Sequence, residues 1–116
     1  PLVQHSLQVM LDFYNKGKIS LEKIVEKMAH APAKCFKINK RGFIREGYWA
    51  DLVLLDLNKP QTVEPSNIYC KAAWSPFEGK TFNDQVYLTM VSGQIVYKEG
   101  NFTPSQNSQR LTFDRN

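Results

Sequence analysis

Histidine and cysteine are scarce in this chain, with two of each in 116 residues. A hydrolytic zinc site needs three or more convergent His, Cys or carboxylate ligands. His5 and His30 alone are too few, so no metal site is expected in this chain. Cys35 and Cys70 lie far apart and belong to no Cys-x-x-Cys pattern, so two reduced thiols in a cytoplasmic protein are expected rather than a disulfide framework. There is no Gly-x-Ser-x-Gly elbow, no glycine-rich phosphate loop and no His-Glu-x-x-His, and a Cys35/His30 dyad would lack an orienting third group. Nucleophilic catalysis by this chain is therefore not expected. Long apolar runs are also missing. The longest, Trp49 to Leu57, is about half a membrane span and is interrupted by Asp51 and Asp56. The start, Pro1-Leu2-Val3-Gln4-His5, has no initiator Met, basic n-region or small-residue cleavage site. It reads as neither a signal peptide nor the natural beginning of a protein.

What is present is ordinary for a soluble globular protein, with 42% apolar and 22% charged residues. This length supports one small core at most. The formal charge of +4 comes from lysines and arginines spread along the chain, which favours a solvated surface over a nucleic-acid or membrane partner.

The first part reads as helical. Val3, Leu7, Met10 and Tyr14 recur at spacings of four, three and four, with Leu11 widening the stripe, which predicts an amphipathic helix over Leu2 to Lys16. Gly17 is placed to end it, and Lys16 and Lys18 suit its negative end. A second helix is expected from Ser20, its cap, to about His30. Glu22 sits in its first turn, and Leu21, Ile24, Val25 and Met28 repeat at i, i+3, i+4 and i+7. Pro32 disfavours helical geometry at Ala31 and is expected to end it, with a further turn over Ala33 to Phe36.

Glycine and proline then punctuate short β-prone runs, so the rest reads as β. Asp51 to Leu57 is nearly continuous in apolar character, which predicts a strand covered on both faces. Val86 to Val91 and Gln94 to Lys98 flank Ser92-Gly93, a tight hairpin signal. Beyond Phe102 the chain is expected to be irregular, with Leu111 and Phe113 as anchors.

Other groups have both a bland and a chemical reading. Glu22 and Glu26 share a helical face but have lysines within reach, which favours an exposed ion-pair face over an acid/base pair. Phe43, Tyr48, Trp49, Trp74 and Phe77 near Arg41, Arg45, Lys71 and Lys80 would suit a nucleic-acid stacking platform. No RNA-binding motif accompanies them, so packing is favoured. His30 suits the end of its helix, whereas His5, on a first turn, is the better placed to face a neighbouring site.

Three motifs carry a resemblance. Gly42-Phe43-Ile44-Arg45-Glu46-Gly47-Tyr48-Trp49-Ala50-Asp51-Leu52-Val53-Leu54-Leu55-Asp56, with its Gly-x-x-Ala-Asp-Leu-Val pattern, is similar to the segment that leads out of the barrel in the amidohydrolase superfamily. Trp74-Ser75-Pro76-Phe77-Glu78-Gly79 resembles the Ser/Thr-Pro-Phe-Glu-Gly motif of dihydroorotases and their cyclic-amidohydrolase relatives. Val91-Ser92-Gly93-Gln94-Ile95-Val96-Tyr97 resembles their Val-x-Gly-x-x-Val-Tyr hairpin. Pro1 to Leu7 resembles the chain just after barrel strand eight, and Arg110 to Arg115 a family C-terminus. The likeness spans essentially the whole chain.

The resemblance implies the C-terminal portion of a zinc-dependent dihydroorotase, which interconverts dihydroorotate and N-carbamoyl-aspartate in pyrimidine biosynthesis. A dihydropyrimidinase-like or allantoinase-like hydrolase is the alternative. The implied fold is an α+β fragment: two C-terminal helices of a (β/α)8 barrel within 1–38, strands of the flanking β-sandwich over 39–102, and a tail at 103–116. The one or two zinc ions and their ligands would belong to the preceding barrel, which is the implied partner of this piece, along with a small cyclic amide. The family leaves room for a homo-oligomer. Only Pro1, Gln4 and His5 adjoin the strand-eight loop, at the barrel face where substrates bind, and they are the candidate substrate-side residues. The chain itself would be structural and inactive. A reading of another class is an autonomous binding or assembly module.

Overall fold

The computed structural model describes residues 2–104 and 108–114. Pro1, one of the three candidate site residues, lies outside them, as do 105–107 and 115–116, so the expected tail is described only in part. The chain divides into two compact units. The first joins the segment up to Leu21 to Asp56–Gln85, and the second joins Glu22–Leu55 to the stretch from Val86 onward.

In the first unit a 3-10 turn over Val3–His5 leads into helix α1, Ser6–Asn15. Gly17 ends it as expected. At φ 73° it donates its N–H to Tyr14 O (2.9 Å) while Lys18 N–H reaches Phe13 O (2.9 Å), the paired bonds of a Schellman end. The face α1 buries differs from the expected stripe. Leu11 is fully buried and His5 nearly so, while Val3 is exposed and Leu7, Met10 and Tyr14 are half-buried. At about 100° per residue, Gln4, Gln8, Leu11 and Asn15 form a face roughly a third of a turn from the Val3–Tyr14 stripe. That first, mostly polar face meets strand β3 (Thr81–Phe82), Asp84 just after it, and the loop that joins it to strand β2 (Gln61–Thr62). The strands pair antiparallel, with Thr62 and Thr81 hydroxyls 2.7 Å apart. Phe82, Val63 and Leu11 form the small apolar core.

In the second unit the helix does not stop at His30. Helix α2, Leu21–Val25, begins one residue after Ser20 and runs through a π-helical segment, Glu26–His30, into helix α3, Ala31–Cys35. Ala31 is helical, at φ −63° and ψ −44°, and its N–H bonds to Glu26 O, five residues back. Proline lacks an N–H and its ring crowds the preceding turn. The wider π turn relieves that crowding locally, so the helix passes through Pro32.

Gly42 packs against this stretch. It lies at φ +84°, and a Cβ there would meet Ala33 Cβ at 2.5 Å and Ala29 O at 2.9 Å. Glycine is required by both its backbone angle and its surroundings.

The sheet of this unit has strand order β1-β4-β5-β6: Leu52–Asp56, Gln85–Val91, Gln94–Lys98 and Asn101–Phe102. The expected hairpin is present. Val91 pairs with Gln94 across Ser92 (φ 50°) and Gly93 (φ 80°), the two positive angles a type I′ turn needs. Strand β1 departs from expectation. It lies at a sheet edge with Val53 47% and Leu54 52% exposed, so the described residues do not cover it on both faces. No described helix is long and apolar enough to cross a membrane.

Gly42→Ala combines a left-handed backbone angle with overpacking and is expected to cost about 2 to 4 kcal/mol. A lowered urea midpoint without a change in slope would verify this.

Candidate functional site

Gln4 and His5, the candidate residues within the described part, sit side by side in the turn that opens α1. Both polar atoms of the Gln4 side-chain amide are used: Nε2 donates to Asn67 O at 2.6 Å, and Oε1 accepts the Tyr69 N–H at 2.9 Å. Asn67 is held in turn by donating to Thr62 O, while its Oδ1 accepts the Glu64 N–H. The chain entering α1 is thereby tied to the loop between β2 and β3.

His5 is buried, 3% exposed. It stacks near-parallel on Phe82 and meets the edge of Phe77, at centroid distances of 6.1 and 6.0 Å. Phe77 belongs to the Trp74–Gly79 motif, whose turn is shaped by Ser75: its buried hydroxyl accepts the Phe77 N–H, and its carbonyl the Glu78 N–H. Trp74, in contrast, is 54% exposed. Desolvation by this burial lowers the His5 pKa below 6.5, because it disfavours the charged ring.

Asp84, two residues after Phe82, is 1% exposed. Its Oδ2 accepts from Asn15 Nδ2 at 2.9 Å, and Gln8 Nε2 lies 3.4 Å from its backbone oxygen. Burial, reinforced by the carboxylates of Asp12 and Asp56, raises its pKa against the pull of Asn15. Neither Asp84 Oδ1 nor His5 Nδ1 has a hydrogen-bond partner among the described residues. Asp84 carries no motif that singles it out in sequence. The four-residue steps from Gln4 to Gln8 and from Leu11 to Asn15 were the available sign of a second, polar helix face.

In the second unit a polar cluster around the buried Arg41 explains the Ala50-Asp51 motif. Arg41, 6% exposed, donates Nη1 to Asp51 Oδ2 at 2.5 Å and Nη2 to Ser92 Oγ at 3.2 Å and Gln109 O at 3.0 Å. Asp51 Oδ1 accepts the Ser92 N–H, and Ala50 O the Gly93 N–H. The motif thus grips the hairpin turn. In the sequence Asp51 only interrupts an apolar run and Arg41 only neighbours the aromatic group, so neither residue points to the other.

The remaining candidates are not assembled into a reactive centre. Glu26 pairs with Lys23 at 2.7 Å on an exposed face, as the ion-pair reading expects. Cys35 and Cys70 are free thiols, and His30 stacks on Phe43 at 4.2 Å. Arg45 lies over Phe43 and Tyr48, and Arg41 over Trp49, so most of the aromatic group packs against the chain's own cations. No group of three or more His, Cys, Asp or Glu among the described residues is placed to share a metal ion. These residues do not fit a catalytic metal.

The motifs and their packing agree with comparison to known proteins. Residues 9–97 match the model of the amidohydrolase family, and the chain belongs to that family. Its relatives include the dihydroorotase of Pyrococcus horikoshii, 34% identical over all of this chain but only 28% of that protein. The L-hydantoinase of Paenarthrobacter aurescens is 36% identical over 98% of this chain and 25% of that protein. Among solved structures, the L-hydantoinase (dihydropyrimidinase) from Arthrobacter aurescens superimposes with a TM-score of 0.84 and 37% identity, over 92% of this chain and 24% of that one. The chain therefore spans about a quarter of the length of the relatives it matches.

Replacing Asp51 by Leu strands the buried Arg41 cation and the Ser92 N–H, and is expected to cost about 3 kcal/mol. The Arg41→Met, Asp51→Leu double variant should cost less than the sum of the two single changes, as a denaturation cycle would measure.

A second expectation concerns pH. The lowered His5 pKa gives a stability contribution present above the ordinary imidazole value and lost as pH falls through the folded value. His5→Leu should flatten that acid-side loss in melting temperature against pH. An unchanged profile would contradict the burial assignment.

Proposed function

We propose that this chain is the C-terminal part of a dihydroorotase, a zinc-dependent hydrolase that interconverts dihydroorotate and N-carbamoyl-aspartate in pyrimidine biosynthesis. The observation that carries the reading is whole-chain similarity to dihydroorotases that are nearly four times as long. In this reading residues 1–38 supply the last helices of a (β/α)8 barrel, 39–102 contribute to a flanking β-sandwich, and 103–116 form the tail.

The two faces of α1 support such a division. Its polar face is used by this chain, while the Val3, Leu7, Met10 and Tyr14 stripe remains available for barrel strands. The exposed Val53 and Leu54 of β1 would likewise be covered by strands of the preceding polypeptide.

The role of this piece is structural, and the metal ligands lie elsewhere in the parent enzyme. There, zinc would supply a hydroxide nucleophile and polarise the ring carbonyl. Pro1, Gln4 and His5 lie next to the substrate side. Because the side chains of Gln4 and His5 are committed to residues 67–82, those two act by fixing the backbone that leaves strand eight. A cytoplasmic location belongs to the same reading.

A second reading is a hydantoinase- or dihydropyrimidinase-like enzyme. The specific observation favouring it is the 36 to 37% identity to L-hydantoinases.

The whole protein containing this chain is expected to bind zinc and turn over dihydroorotate faster than hydantoin or dihydrouracil, and the 116-residue chain alone to do neither. Preference for hydantoin would select the second reading. Turnover by the isolated chain would refute both.

A further inference from the structure

A cleft of about 320 Å³ in the second unit has no part in the function proposed above. Its walls are the end of α3, the loop that follows, and the C-terminal stretch. They are joined by Asn39 N–H to Thr112 O at 2.9 Å, Asp114 N–H to Lys37 O at 2.8 Å, and a backbone bridge between Ile38 and Phe113.

Four cations line it, Lys34, Lys37, Arg41 and Arg45, beside the rings of Phe43 and Tyr48. Arg41 is committed to Asp51. Lys34, Lys37 and Arg45 have no acidic partner within 4.0 Å among the described residues. The single carboxylate in the lining is Asp114, and outside it Glu26 is within electrostatic reach of Lys34.

Arg45 is the best prepared of them. Its guanidinium lies 4.2 Å from the centroid of Phe43 and 5.6 Å from that of Tyr48. His30 stacks on Phe43 at 4.2 Å with an interplanar angle of 8°, so ring and guanidinium must occupy opposite faces. An arginine ordered by rings keeps most of its N–H fork free for an oxyanion, which one ordered by a carboxylate does not. The lining carries more cations than carboxylates, which suits a small anion. The volume is at the low end for small-molecule sites, enough for a phosphate and a ring-sized group but too small for a polynucleotide.

We propose that this cleft binds a small phosphate-bearing metabolite, held by Arg45, Lys34 and Lys37. The inference does not depend on the activity proposed above.

The test is calorimetric titration of the whole protein with pyrophosphate at fixed ionic strength. One saturable site is expected, weakened about tenfold by Arg45→Gln. Because Arg45 and Lys34 also lie over the Phe43 ring, Lys37→Gln, at an exposed side chain, gives a second reading that folding cannot confuse. It should weaken pyrophosphate in the same direction without lowering the melting temperature. Lack of saturable binding, equal affinity in all variants, or tighter binding of a single-stranded oligonucleotide than of pyrophosphate would overturn the proposal.

Discussion

The buried guanidinium of Arg41 is the constraint around which the second unit is organised. A cation with a side chain 7% exposed is costly unless its N–H groups are matched. Here they are matched by the Asp51 carboxylate, the Ser92 hydroxyl and the Gln109 carbonyl. The same carboxylate accepts the Ser92 N–H, so one charge pair fixes the start of β1, the β4–β5 turn and the C-terminal stretch. This gives the Ala-Asp-Leu-Val motif a physical meaning: the aspartate holds the turn, and the apolar residues after it form the strand.

The first unit relies on neutral contacts. Gln4 ties the entry of α1 to the 67–69 backbone, and His5 fills the space between Phe77 and Phe82. Burying an imidazole and a carboxyl, each with an unmatched atom, works against stability. The apolar core beside them is small. A helix that turns a polar face to its own chain and leaves an apolar stripe half-buried is suited to further packing on that stripe, in keeping with a piece that spans about a quarter of its relatives.

Features encoded within a few residues were legible in the sequence. Gly17 as a helix stop, Ser92-Gly93 as a hairpin turn and an exposed ion-pair face at Glu26 depend on local geometry. Features set by distant partners were not. Asp51 finds Arg41 ten residues away and Ser92 41 residues away. The polar face of α1 acquires meaning only through residues 67–84. Pro32 misled because its usual effect on a regular helix was applied to a segment that widens into a π turn. The family motifs were legible, but how they pack was not: Phe77 packs on His5, while Trp74 of the same motif remains exposed.

The central claim is that this chain is one part of a larger amidohydrolase, with apolar surface that the rest of the polypeptide completes. Sedimentation and ANS fluorescence of the isolated 116-residue chain test it most directly. The account predicts strong dye binding or self-association that is absent from the whole protein. A monomer that melts sharply and binds no dye would contradict it and favour an autonomous module.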